Sequence, residues 1–116
     1  MAAGGALGSA ARYLLSTFVL RVSGSLFPSG TFTVNLIGCI VFGVIAGAAE
    51  QRVPLSPASR AFLLVGVLGG FTTFSSYAFE SYALLRDGQF VAASVNVVGQ
   101  VMAGLAGVAI GVALAR

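Results

Sequence analysis

The sequence predicts an all-α integral membrane protein: residues 1–116 as a single transmembrane domain of four helices, the third broken mid-membrane. Three observations predict it. Charged residues make up 8% of the 116-residue chain and hydrophobic residues 58%, with a mean hydropathy of +1.01. A soluble domain carries about 25% charge, so this chain could not cover a water-facing surface. Most of the 16 glycines lie inside the apolar runs, as membrane helices allow and soluble helices do not. Turn-forming residues around Ser25, Pro54 and Asp87 divide the chain into four apolar segments, at about 2–22, 31–50, 57–86 and 89–115.

The same composition excludes other classes. There is no His, and all 6 basic residues are arginine. Metal clusters and ordinary general-base catalysis are poorly supplied, and an enzyme is not expected. The single Cys39 gives no disulfide framework. The net charge of +3 is small and scattered, so no nucleic-acid partner is expected.

The first helix, residues 2–22, is read as a membrane helix and not as a cleaved leader. No charged stretch precedes it, and Arg12 interrupts it. Gly4, Gly8 and Arg12 recur every fourth residue and share one face. The glycines let a neighbouring helix approach closely. Two readings of Arg12 are open: it snorkels to the interface, or it borders an aqueous vestibule and attracts anions.

Ser23-Gly24-Ser25 and Pro28-Ser29-Gly30 mark a loop. The second helix follows, ending near Glu50, Gln51 and Arg52. Asn35 is its only strongly polar group and shares a stripe with Cys39, Phe42 and Ala46. It is either glue between helices or an N–H donor for an anion. Gly43 and Gly47 form a second close-packing pair.

Ser56 followed by Pro57 reads as a helix cap with proline at the first helical position. Unbroken from residue 57 to 86, the third helix would rise about 45 Å, well beyond the hydrocarbon core of about 30 Å. It must tilt or break, and Gly69-Gly70 is the expected break. Beyond it, Phe71, Thr72, Thr73, Phe74, Ser75, Ser76 and Tyr77 crowd hydroxyls and aromatics together. Loosened backbone in lipid needs partners inside the protein or must line a watery path. Bare carbonyls there suit a cation, so the break reads as an ion site. Phe74, Tyr77 and Ser81 share one face. Glu80 reads, on position alone, as an interfacial carboxylate.

The last segment carries no charge. Asn96, Gln100, Gly104, Gly107 and Gly111 form one stripe, polar at one end and stripped of side chains at the other. Packing explains the glycines but not two large amides in a membrane helix.

With four crossings both termini lie on one side. Arg52, Arg60 and Arg116 fall on that side, and Arg21 and Arg86 on the other. So small a bias does not fix orientation. A chain that inserts both ways forms an antiparallel, dual-topology homodimer. Four short helices are also too few to enclose a polar path alone.

These residues resemble a known family. Gly4-Gly5-Ala6-Leu7-Gly8 with Arg12, Gly30-Thr31-Phe32-Thr33-Val34-Asn35, and Gly69-Gly70-Phe71-Thr72-Thr73-Phe74-Ser75-Ser76 resemble the Fluc fluoride channels, also called CrcB, in order and spacing. The resemblance covers essentially the whole chain. It implies passive, selective fluoride export across the bacterial cytoplasmic (inner) membrane through two antiparallel pores. It also implies a structural, untransported sodium ion at the dimer centre. Main-chain carbonyls of Gly69 and Thr72 would hold that sodium. Asn35, Phe74, Ser75, Ser76, Tyr77, Asn96 and Gln100 would line the fluoride pathway. Tyr77 replaces the family's second phenylalanine, and Asn96 and Gln100 stand where Tyr and Ser are common. Arg12 would match the vestibule arginine and Glu80 the acidic residue after the break.

Two other functions compete. A proton-coupled cation exporter of the small multidrug type is also a four-helix, dual-topology dimer, but it needs a carboxylate deep in the membrane. Here Glu50, Glu80 and Asp87 all lie near helix ends. A non-transporting assembly subunit would use Asn35, Asn96 and Gln100 only for packing.

Overall fold

The apolar runs fold as helices throughout. The structure, a computed structural model, describes residues 1–51 and 54–116, with only the backbone of Gln51. In chain order the elements are α1 (Ala2–Ser23), α2 (Ser29–Gln51), α3 (Pro57–Arg60), a π-helical segment (Ala61–Leu68), α4 (Gly69–Phe71), α5 (Phe74–Arg86) and α6 (Phe90–Ala115). No strand occurs among the described residues. Arg52, counted above in the charge bias, lies outside them.

Among the described residues, three helices are long and apolar enough to cross a membrane: Ser29–Glu50, Pro57–Arg86 and Phe90–Ala115. The expected fourth crossing, α1, has the length at 22 residues. Arg12, Arg21 and its hydroxyl residues make it less apolar than the others. The bundle is 47 Å long, close to a bilayer with its headgroups.

The burial pattern is inverted relative to a soluble protein. Val34, Leu64, Leu68, Leu84 and Ala93 are the buried hydrophobic residues, while Asn96 and Ser81 are also buried. Large apolar side chains such as Leu26, Val91 and Phe74 stand outside. Such a surface is untenable in water and natural against lipid.

Helix ends follow local chemistry. The α1 terminus is Gly24, in the left-handed region at φ 59°, with its N–H on the Leu20 carbonyl at 3.1 Å. As the sequence predicts, Ser56 caps the third span: its Oγ accepts the Ser59 N–H at 3.1 Å, with Pro57 next.

The break in the third span falls later than expected. Gly69 is helical, at φ −62° and ψ −38°, and Gly70 also lies within α4. The chain leaves the helix at Thr72 (φ −88°, ψ 157°) and Thr73 (φ −148°, ψ 119°). Gly70 serves packing instead. A Cβ on Gly70 would sit 2.7 Å from the Gly5 carbonyl oxygen. The π winding just before the break has no counterpart in the sequence reading; wide turns of this kind recur at functional sites.

Glycine contacts at two interfaces set the layers. α1 lies on the π segment and α4, where a Cβ at Gly8 would strike the Val67 carbonyl. α2 lies on α6, where Gly43 meets the Val108 carbonyl and Gly111 meets the Ile40 carbonyl. The Gly43–Gly47 pair and the glycine end of the α6 stripe therefore face each other, as close-packed membrane helices do.

Candidate functional site

At the break, backbone groups lose their helical partners and side chains replace them. In a continuous helix the Thr73 N–H would bond the Gly69 carbonyl. Here it donates to Asn35 Oδ1 at 2.8 Å, and Asn35 Nδ2 donates back to the Thr73 carbonyl at 3.0 Å. Thr73 Oγ1 then caps α5 by accepting the Ser76 N–H at 3.1 Å. Thr72 Oγ1 donates to the Leu68 carbonyl at 2.9 Å, and Arg12 Nε to the Gly70 carbonyl at 3.1 Å. Among the described residues, no hydrogen bond reaches the carbonyl oxygens of Gly69 or Thr72.

A hydrogen-bonded ladder runs from this break along α6. Asn35 Nδ2 donates to Gln100 Oε1 at 2.8 Å, and Gln100 Nε2 to Asn96 Oδ1 at 2.8 Å. Asn96 Nδ2 donates to Ser81 Oγ at 2.8 Å, and Ser81 Oγ to the Tyr77 carbonyl at 2.7 Å. Asn96 is 0% exposed and Gln100 9%. Burying amides this completely is costly unless each is bonded, and the ladder meets that demand. It carries no formal charge. One N–H each on Asn96 and Gln100 stays unbonded among the described residues, whereas both Asn35 hydrogens are engaged.

Aromatic rings stand beside the ladder. Phe74 and Tyr77 have ring centroids 5.6 Å apart, tilted by 50°. The Tyr77 hydroxyl donates to the Val97 carbonyl at 2.7 Å, while Phe74 is 78% exposed. Ser75 is exposed, its Oγ 3.4 Å from Thr73 Oγ1, and Ser76 is half-buried. An open cleft of about 550 Å³ joins Asn35, Gly69, Thr72, Phe74, Tyr77 and Gln100.

Two sequence-predicted residues make contacts that position alone does not show. Arg12 is held beside the break by its bond to Gly70. Glu80 is half-buried, and its Oε1 accepts the Thr31 hydroxyl at 2.9 Å. Its other oxygen is enclosed without a partner among the described residues. Sequence reasoning missed Thr31, which comes from the start of α2. Ser81 was placed on the correct face but not in the ladder, because a shared face does not reveal which groups meet across helices. Thr73 was read as a hydroxyl, and its role as cap and paired peptide was not legible.

The donor set fits a hard cation. Among the described residues, no cluster of His, Cys, Asp or Glu could hold a metal. The uncovered Gly69 and Thr72 carbonyls are neutral oxygens, which suit an ion such as sodium better than a transition metal. One chain offers two such oxygens here.

Comparison with known proteins agrees in extent along the chain. Residues 1–112 match the family model described as CrcB-like protein, Camphor Resistance (CrcB). A protein of Maridesulfovibrio salexigens named "Fluoride-specific ion channel FluC" is 47% identical over 116 residues, covering 100% of this chain and 92% of the relative. Proteins of the same name from Nitratidesulfovibrio vulgaris and Methylobacillus flagellatus are each 48% identical, covering 88% and 90% of this chain and 82% and 83% of the relatives. With a family model spanning nearly every residue and relatives this similar along almost their whole length, the chain belongs to the CrcB family.

Proposed function

We propose that the protein is a fluoride-selective channel. In this reading it lets fluoride leave the cytoplasm passively across the bacterial inner membrane. It works as an antiparallel homodimer with two pores and a structural sodium ion at its centre. The observation that carries the proposal is the buried, uncharged ladder Asn35–Gln100–Asn96–Ser81, beside an interrupted membrane helix. Relatives at about this identity are named fluoride-specific ion channels.

The chemistry suits the ion. Fluoride is small and strongly hydrated, so a pathway must replace its water with donors. Amides and hydroxyls donate without fixing a full positive charge, and conduction needs serial sites weak enough to release the ion. The unbonded N–H groups of Gln100 and Asn96 and the hydroxyls of Ser75 and Ser76 supply such donors. The edges of Phe74 and Tyr77 carry positive quadrupole density suited to an anion. Arg12 and Glu80 would flank the ends of the pathway as vestibule residues.

The dimer is supported by the open cleft, which leaves polar break residues uncovered in one chain. A second copy laid against it would close that face and complete an oxygen cage from Gly69 and Thr72 of both chains. When bound, sodium would supply a fixed positive charge that stiffens the break and favours anions nearby. The chain's own task is to hold those carbonyls bare. A proton-coupled exporter gains no support from the relatives' names, and the half-buried Glu80 is already bonded to Thr31.

Proteoliposomes containing the purified protein should release fluoride down its gradient without a pH gradient and should retain chloride. Vesicles that stay fluoride-tight with folded protein, or that pass both halides equally, would sink the proposal.

A further inference from the structure

We infer that Asn35 is a positioning residue whose carboxamide builds the interruption of the third span, and not a donor offered to the permeating ion. The inference deepens the channel reading and rests on it for its functional meaning. Both amide hydrogens of Asn35 are engaged, one on the Thr73 carbonyl at 3.0 Å and one on Gln100 Oε1 at 2.8 Å. An anion at this nitrogen would have to break one of those bonds.

The acceptor end matters more. Asn35 Oδ1 takes the Thr73 N–H at 2.8 Å. That N–H is the group that would otherwise close the helical bond onto the Gly69 carbonyl. The carboxamide thus pairs with the Thr73 peptide through one donor and one acceptor, as a neighbouring strand would. Three consequences follow in order along the chain. The Gly69 oxygen is left bare. Thr73 stays extended, with its Oγ1 available to cap Ser76. The restarted helix α5 then carries Phe74 and Tyr77 at its first two turns. Sequence marked Asn35 as the only strongly polar group of the second helix, and only the geometry shows that its partner is a backbone peptide 38 residues away.

The test reads the Gly69 carbonyl directly, in protein carrying one isotope-labelled carbonyl there. Infrared spectra are taken in sodium-free choline buffer, so that cation binding does not move the band. The wild type should absorb at the higher frequency of an unbonded carbonyl. Asn35→Leu removes the acceptor and should shift the band to lower frequency as Thr73 N–H returns to Gly69. Asn35→Asp keeps an oxygen in place and loses both donor hydrogens, and its band should stay unshifted. If Asn35→Leu does not fold, Asn35→Ser, one bond too short to reach Thr73, should shift in the same way. An unshifted band in the Leu or Ser variant overturns the inference, as does an Asp variant that shifts as far as they do. The readout is independent of conduction: fluoride-tight vesicles would remove the channel reading and leave this result standing.

Discussion

Arg12 and Gly70, 58 residues apart, meet through a 3.1 Å hydrogen bond from the guanidinium Nε to the Gly70 carbonyl oxygen within α4. The bond ties the first helix to the break and takes Gly70 out of the set of uncovered carbonyls. Hydrogen bonds to charged groups contribute about 1.5–3 kcal/mol. Arg12→Leu should therefore lower unfolding stability in detergent by an amount in that range. Arg12→Lys keeps the charge but not the planar fork of donors, and should recover only part of the loss. A Leu variant as stable as the wild type would show that the bond does not hold the break.

The glycines divide into two groups that look alike in sequence. At Gly5 an added Cβ meets nothing within 4 Å, whereas at Gly43 it would run into the Val108 carbonyl. Gly5→Ala should be neutral or stabilising, by up to about 1 kcal/mol from helix propensity. Gly43→Ala should destabilise by about 1–3 kcal/mol or more, because the α2–α6 approach has no room to give. Thermal unfolding of the two variants side by side checks both. Equal effects would mean that α2 and α6 do not pack as described.

That contrast marks what was legible in the sequence. Apolar run lengths announced the helices to within about two residues, as the Ser56–Pro57 cap and the Gly24 terminus illustrate. The polar stripe of Asn96 and Gln100 announced a buried polar face, since two amides in an uncharged membrane helix need partners. The register of the break was not legible. Gly69-Gly70 advertised flexibility, yet both stay helical and Gly70 serves the close approach of α1. The chain opens three residues later, where Asn35 diverts the Thr73 N–H. That outcome depends on a contact between two helices, which no local pattern encodes. The Thr31–Glu80 bond was hidden for the same reason.

Tyr77 stands where the family resemblance leads one to expect phenylalanine, and its hydroxyl donates to the Val97 carbonyl at 2.7 Å. Tyr77→Phe removes that bond and keeps the ring beside Phe74. A typical hydrogen bond contributes about 1 kcal/mol net, so stability should fall by about that much. Fluoride efflux should persist in the variant, because the hydroxyl is already engaged on the Val97 carbonyl and the ring is retained. Loss of efflux in a folded Tyr77→Phe protein would assign the hydroxyl itself to conduction.

Gln100 is the hinge of the ladder, accepting from Asn35 and donating to Asn96. Gln100→Leu would leave the Asn35 hydrogen and the Asn96 Oδ1 both buried without partners, each costing about 1–3 kcal/mol. Gln100→Glu keeps the shape but, when ionised, sets a carboxylate oxygen against Asn96 Oδ1 and adds negative charge to an anion's route. Both variants should cut fluoride efflux from proteoliposomes, because each removes the unbonded Gln100 N–H offered to the ion. The Glu variant should recover part of its flux as the medium is acidified, because protonation restores a donor toward Asn96. The Leu variant has no such group and should not respond. Efflux measured per folded protein at two pH values separates the two, and equal pH responses would remove Gln100 from the conducting path.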